Sequence, residues 1–168
     1  MARILIIGYG NPLRSDDGLG WRAATELSRK LSGEDSDILS CHQLTPELAA
    51  PVSTAEVVFF IDAAQNGEPG DIRCNTVVPE TWNPRFSHDL SPGAILTLAQ
   101  QLYGSFPPSF VVSLCGRCFE HGKTLSHEVQ VSIPHLVALV EQMAGEVLHS
   151  KTRNATDTDG HLSAWTVT

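Results

Sequence analysis

The sequence has 168 residues, the size of one ordinary domain, and 42% of them are hydrophobic, which excludes a disordered or a membrane-embedded composition. Its formal net charge of −8, from 19 acidic and 11 basic residues, argues against a nucleic-acid-binding protein. No apolar run approaches the ~20 residues of a membrane span, no signal peptide is recognisable, and the four cysteines are spread out, so we expect a reduced, cytoplasmic protein.

The first half of the chain alternates strand and helix signals. Residues 3–7 are an apolar run that predicts a buried strand, and a turn-rich loop, residues 8–18, follows it. A helix is predicted next, since apolar residues recur at helical spacing at Leu19, Ala23, Leu27 and Leu31. Residues 37–43 are a weaker strand candidate.

A second helix and the strongest strand come next. Thr45 and Pro46 have the pattern of a helix start, with Thr45 as its cap. Residues 57–61 are apolar throughout and end at Asp62, which is typical of a central strand in a parallel sheet.

The second half of the chain repeats the alternation. Residues 72–78 and 110–114 predict strands. Between them, Ser91 and Pro92 predict the start of a helix that Gly104 ends, with an inner face of Ile95, Leu98, Ala99 and Leu102. Ser126 is predicted to cap the last helix, whose apolar face is Ile133, Leu136, Val137, Val140, Met143 and Val147; Pro134 should kink that helix or restart it, with Ser132 as a second cap.

This order of elements predicts an α/β fold. We expect a single-domain three-layer sandwich over residues 1–149, with a mostly parallel twisted sheet and helices on both faces. Residues 150–168 are polar and without periodicity, so we expect a mobile tail. Parallel sheets bind ligands beyond the carboxyl ends of their strands, which directs attention to the loops after Gly8 and after Ile61.

Three carboxylates fall in those two loops. Asp16 and Asp17 precede the first predicted helix, where an ionised carboxylate is favoured, and Asp62 ends the central strand. Each also has a purely structural interpretation, as a helix cap or as a strand end. If the first and third strands are neighbours, Asp17 and Asp62 face each other across the crevice.

Two carboxylates and one imidazole form a site suited to nickel or zinc. His88 is the best-placed histidine, since it precedes a well-capped helix, and His42, at the end of the second strand, is a weaker candidate. A lone histidine at such a position is more often a surface residue.

Two other motifs are poor matches. The segment from Gly8 to Leu13 lacks the third glycine of the dinucleotide fingerprint, so we expect its glycines to allow a sharp turn. Cys115 and Cys118 form a C-x-x-C pair, but no second pair completes a zinc site, and the pair follows a late strand rather than opening a helix.

The opening Ile-Leu-Ile-Ile-Gly-Tyr-Gly-Asn-Pro-Leu-Arg-Ser-Asp-Asp-Gly-Leu-Gly closely resembles the N-terminal signature of the hydrogenase maturation proteases. The segments Phe-Ile-Asp-Ala ending at Ala63 and Phe-Ser-His-Asp-Leu ending at Leu90 resemble the family's central strand and its histidine-bearing segment. The resemblance covers roughly residues 3–148. The segment from His42 to Pro46 looks more like the branch that serves bidirectional, NAD-linked hydrogenases.

The resemblance implies an endopeptidase, of aspartic or metal-assisted type, that removes a short C-terminal peptide from the nickel-loaded large subunit precursor of a nickel–iron hydrogenase. It implies that Asp17, Asp62 and His88 are the catalytic residues and contact the nickel, which the substrate carries; no organic cofactor is implied. We assign substrate binding to Gly10, Asn11, Asp16, His42 and Thr45 and expect a monomer. The alternatives are a nickel-binding maturation chaperone without hydrolysis and a nucleotide-binding α/β protein.

Overall fold

A five-stranded sheet forms the middle layer of the protein. The computed structural model describes residues 4–31, 33, 35–81 and 90–154, with the side chains described as far as residue 149. The strands are β1 (Ile4–Tyr9), β2 (Ser36–Cys41), β3 (Val57–Ala64), β4 (Ile72–Thr76) and β5 (Ser109–Cys115). The helices are α1 (Leu19–Lys30), α2 (Ala49–Thr54), α3 (Pro92–Tyr103) and α4 (His127–Asn154).

The strand order is β2-β1-β3-β5-β4. The pairs β1–β2, β1–β3 and β3–β5 are parallel, and β4 joins the edge beside β5 in the antiparallel direction. Helices cover both faces, so the predicted α/β sandwich with a mostly parallel sheet is confirmed. The neighbouring position of the first and third strands, on which the pairing of Asp17 with Asp62 depends, is also confirmed.

Alternation along the central strands divides the core into two apolar clusters. Phe59 belongs to the cluster under α1 and α4, and Phe60, the next residue, belongs to the cluster under α2 and α3. Both phenylalanines are fully buried. The continuous apolar sequence of β3 therefore reflects a strand that is covered on both faces.

The boundaries of α3 follow local chemistry. The Ser91 hydroxyl accepts the N–H of Ala94, Pro92 lies in the first turn, and Gly104 ends the helix at φ 80°. These predictions are confirmed. Leu102 was wrongly predicted on the inner face: it is 63% exposed, because it lies in the last turn, beyond the buried positions.

The α4 helix is longer and more continuous than predicted. It runs through Pro134 without a restart and continues to Asn154, so the predicted second cap at Ser132 is wrong. Ser126 occupies the cap position, since its carbonyl accepts the N–H of Gln130. Beyond Asn154, the tail lies outside the described residues.

The residues His127–His149 are long and apolar enough, by length and composition, to cross a membrane. The same stretch covers one face of the sheet, however, and its apolar stripe is buried in the core: Val129, Ile133, Leu136, Val137, Val140 and Ala144. This is the burial pattern of an amphipathic helix that packs on a sheet through one face.

Candidate active site

The candidate site lies at the edge of the sheet where parallel strands end. β1 ends at Tyr9 and β2 ends at Cys41, which is its register partner. Asp62 lies near the end of β3, one residue beyond the last β1–β3 pair, Gly8 with Ile61. The site was expected beyond the carboxyl ends of β1 and β3, and Tyr9 and Asp62 lie there beside each other.

Two glycines allow α1 to pack closely on β1. A Cβ at Gly8 would lie 2.1 Å from the carbonyl oxygen of Gly20, and a Cβ at Gly10 would lie 2.1 Å from that of Asp17. Gly10 also has φ 133°, a conformation that only glycine adopts readily. The glycine motif thus serves a sharp turn and close packing of the backbone, which supports setting aside the dinucleotide interpretation.

Asp17 follows that turn and is half-buried. Its Oδ2 accepts the backbone N–H of Asn11 at 2.8 Å. The Asn11 side chain in turn accepts the N–H of Leu13 at 2.9 Å, which fixes the loop. Asn11, predicted to bind substrate, therefore orients the Asp17 carboxylate through its main chain. The polar backbone atoms of Gly10 are bonded to Cys41 and Trp21, so its part in the site is also structural.

Asp62 is held by a tyrosine. The Tyr9 hydroxyl donates to Asp62 Oδ2 at 3.0 Å. Burial raises the pKa of Asp62 from 3.8 to about 6, and the negative charge of Asp17 adds to the shift, against the lowering effect of the bonds from Tyr9 and from the Ala63 N–H. The pKa of Tyr9 is itself raised above its ordinary value by burial and by Asp62, so its hydroxyl remains a donor at neutral pH.

Asp16, predicted to bind substrate, is fully buried and its carboxylate is bonded to the backbone of a distant loop. Its Oδ2 accepts the N–H groups of Arg117 and Cys118 at 2.7 and 2.9 Å, and its Oδ1 accepts that of Ser126 at 2.6 Å. Burial opposes ionisation, yet these three bonds hold the pKa of Asp16 below its ordinary value.

The residues before Asp17 are fastened to the same distant loop. Arg14 Nε donates to the carbonyl of Phe119, and the Ser15 hydroxyl donates to that of Glu120. Backbone bonds from Ser15 to Gly122 and from Asp16 to Cys118 complete the contact. We call this set of contacts between residues 14–16 and 117–126 the loop clamp. It fixes the turn that carries Asp17.

The remaining predicted site residues differ in how far the structure describes them. His42 is exposed directly after β2, and Thr45, half-buried, lies just beyond it with extended backbone before a short 3₁₀ turn. Thr45 makes no side-chain capping bond. His88 lies outside the described residues. Among the described residues no group of three His, Cys, Asp or Glu side chains is arranged to hold a metal ion.

Two residues of the site were missed at the level of sequence. Tyr9 contacts Asp62, and the strand alternation that places it on the same face as Ile7 was the available signal. The indole N–H of Trp21 donates to the carbonyls of Gly10 and Cys41 at 2.9 and 3.1 Å, and so ties α1 to the ends of β1 and β2. Nothing local in the sequence indicates that bond.

The C-x-x-C pair contributes no side chain to the hydrogen bonds that the described residues make with the Asp17 and Asp62 carboxylates. Cys115 is buried at the end of β5 with its thiol near the carbonyl of Asn66, and Cys118 is half-buried in the loop clamp. Both are free thiols, as are Cys41 and Cys74.

Solved structures of similar fold are named as hydrogenase maturation peptidases. The chain superposes on the hydrogenase 2 maturation peptidase of Thaumarchaeota archaeon SCGC_AB-539-E09 with a TM-score of 0.66, at 24% identity, over 85% of this chain and 98% of that one. For the maturation protease HycI from Thermococcus kodakarensis KOD1 the TM-score is 0.69, at 21% identity, over 84% and 91%. For the maturating endopeptidase HybD from E. coli it is 0.65, at 22% identity, over 86% and 93%.

No protein-family model matches the chain, and no curated protein matches its sequence. The chain therefore has the fold of the hydrogenase maturation proteases. Asp17 and Asp62 lie at the edge of the sheet where such α/β folds place their sites.

Proposed function

We propose that this protein is an endopeptidase that removes a short C-terminal peptide from the nickel-loaded large subunit precursor of a nickel–iron hydrogenase. The observation that carries the proposal is the pair of aspartates at the edge of the sheet, each oriented through Oδ2: Asp17 by the Asn11 N–H and Asp62 by the Tyr9 hydroxyl. Like charges that are held close together in a partly buried site favour a bound cation or a shared proton.

In this proposal Asp17 and Asp62 contact the nickel that the substrate carries, and His88 is the third contact. Carboxylate and imidazole ligands suit a borderline metal such as nickel. The protein itself needs no organic cofactor.

Hydrolysis requires a group that accepts a proton from water. With a pKa of about 6, Asp62 is ionised at neutral pH and still basic enough to act as general base. Tyr9 keeps that carboxylate in one orientation. The metal of the substrate supplies Lewis acidity to the carbonyl or to water. The peptidase is aspartic-type or metal-assisted accordingly.

The wider setting is part of the same proposal. The partner is the hydrogenase precursor, the protein acts in the cytoplasm, and it is a monomer. The net charge of −8 supports a protein partner rather than nucleic acid.

The test is to mix the purified protein with a nickel-loaded precursor and with the same precursor free of nickel, and to weigh the products by mass spectrometry. Loss of a C-terminal peptide from the loaded precursor alone is the expected result. If both precursors stay intact while the protein binds nickel by itself, the protein is a maturation chaperone and the peptidase proposal is wrong.

A further inference from the structure

A groove lies on the other side of the turn that carries Asp17. It is a cavity of about 590 Å³ between α1 and α4, within the range of sites that hold ligands. Ser15 and Gly18, on either side of Asp17 in the sequence, line it, whereas neither Asp17 nor Asp62 does. The groove is thus adjacent to the candidate active site and separate from it.

The net charge of the groove lining is positive, whereas the net charge of the protein is negative. Its lining contains two cations, Arg22 and Lys123, and one anion, Glu26. Arg22 pairs with Glu26 at 2.8 Å, and Lys123 makes no ion pair within the described part of the chain. On a protein of net charge −8, this is a place where an acidic segment is attracted.

A backbone acceptor lies in the same wall. Pro134 is inside α4 and has no N–H, so the carbonyl of Gln130, four residues earlier, lacks its usual helical donor. Both residues line the groove. The side-chain amide of Gln130 donates to the carbonyl of Leu125 at 2.6 Å, which fixes that side chain at the start of α4. A peptide N–H in the groove would take the place of the helical donor that Pro134 does not supply to the Gln130 carbonyl.

The apolar part of the lining connects the groove to the active site. Trp21 and Ile133 line it, and the Trp21 indole is bonded to the carbonyls of Gly10 and Cys41. A segment packed against Trp21 therefore lies next to the backbone that supports Asp17.

We propose that this groove binds a short extended acidic segment of the hydrogenase precursor, away from the scissile bond. This inference rests on the proposed function for the identity of the partner. In the groove, the carbonyl of Gln130 accepts a peptide N–H of the segment, and Lys123 pairs with one of its carboxylates. Because these contacts are made equally in the bound precursor and in the transition state, they lower KM and leave kcat unchanged.

The first test compares two variants that both favour the α4 helix. Pro134→Ala restores the N–H that bonds the carbonyl of Gln130, and Gly145→Ala improves the helix at a position where an added Cβ meets no atom within 4 Å. With nickel-loaded precursor, Pro134→Ala should raise KM about fivefold to tenfold at constant kcat, the value of one lost hydrogen bond. Gly145→Ala should keep the KM of the unmodified protein. Equal KM values for both variants would overturn the proposal.

The second test reverses the charge. Lys123→Glu should raise KM about tenfold at low salt, with a smaller effect at high salt, because the contact is exposed and screened. The control is Arg29→Glu, an exposed position on α1 outside the groove, which should leave KM unchanged. An equal increase for both would mean that overall charge, and not the groove, attracts the precursor.

Binding without cleavage separates this inference from the proposed function. Asp62→Asn protein, which should not cleave, is titrated with loaded precursor by calorimetry, alone and combined with Lys123→Glu. Weaker binding of the double variant supports the groove even if the unmodified protein proves not to be a peptidase. Unchanged binding refutes the groove and leaves the peptidase proposal intact. If neither Asp62→Asn nor the double variant binds the precursor, the groove proposal and the peptidase proposal are both wrong.

Discussion

At the scale of single residues, the adjacent aspartates Asp16 and Asp17 differ in burial and in hydrogen-bond partners. Asp16 is buried and accepts three N–H donors, and Asp17 is half-buried at the crevice. The sequence shows two equivalent carboxylates in one loop. It cannot separate them, because the donors of Asp16 come from residues 101, 102 and 110 positions away.

Asp16→Asn should lower the free energy of unfolding by about 3 kcal/mol at neutral pH, since an amide NH₂ would face one of the N–H donors. Folding lowers the pKa of Asp16. The ionised carboxylate therefore adds to the free energy of unfolding at pH values above the ordinary pKa of aspartate, and this contribution is lost as pH falls through the lowered pKa. The difference from the unmodified protein should therefore narrow in acid. Urea unfolding at several pH values measures it, with the exposed Asp37→Asn as control. A constant difference down to pH 3 would contradict this explanation.

Asp62→Asn should have the opposite effect on stability and should abolish the processing activity proposed above. The pKa of Asp62 rises from 3.8 to about 6 on folding, so folding favours the protonated form. The contribution of Asp62 to the free energy of unfolding is therefore favourable below about pH 4, and it is lost as pH rises through 6. The asparagine variant should be more stable than the unmodified protein by about 2–3 kcal/mol at pH 7, with no difference near pH 3. Thermal melts of both proteins across this pH range test the prediction. If the variant is less stable than the unmodified protein at pH 7, ionisation of Asp62 does not destabilise the fold.

At the scale of elements, the site depends on how closely α1 approaches β1. Gly8→Ala should destabilise the protein by about 3 kcal/mol or more, since the added Cβ would meet the backbone carbonyl of Gly20 at 2.1 Å. Gly33→Ala, where no atom lies within 4 Å, is the matched control. Unfolding in urea gives both values. A small effect at Gly8 would mean that the helix moves away from the strand without cost.

The elements with strong local signals were predictable. The apolar run of β3, the spacing of apolar residues in α1, and the Ser91 and Gly104 ends of α3 are each fixed by nearby residues. The antiparallel direction of β4 was not predictable, because it depends on which strand edge is free rather than on its own sequence. The continuity of α4 through Pro134 was also missed, because packing of its buried stripe outweighs one lost helical bond.

The same limit explains the site. Asp17 and Asp62 were predicted as site residues because the loops after β1 and β3 can be located from the local apolar runs that precede them. Tyr9 was not identified, although strand alternation places it on the same face as Ile7, because its contact with Asp62 depends on the pairing of β1 with β3. The loop clamp was not identified because it joins residues about a hundred positions apart. The place of His88 stays a prediction.

At the scale of the whole molecule, both apolar clusters share one sheet and should unfold together. Phe59→Ala and Phe60→Ala remove side chains from opposite layers, and each should cost about 3–5 kcal/mol. Far-UV circular dichroism and tryptophan fluorescence should give one coincident urea transition for each variant. If either variant does not fold, the Phe→Leu substitution replaces it. Separate transitions for the two probes would show that the layers are independent.

The loop clamp also orders events during translation. A chain that is still being made holds Asp17 and Asp62 while the residues that fix their loop, 117–126, have yet to be synthesised. The contacts that fasten the turn before Asp17 can form only after that late segment has been synthesised. Incomplete products that stop short of Arg117 therefore contain both aspartates and their partners Asn11 and Tyr9, but lack the loop clamp.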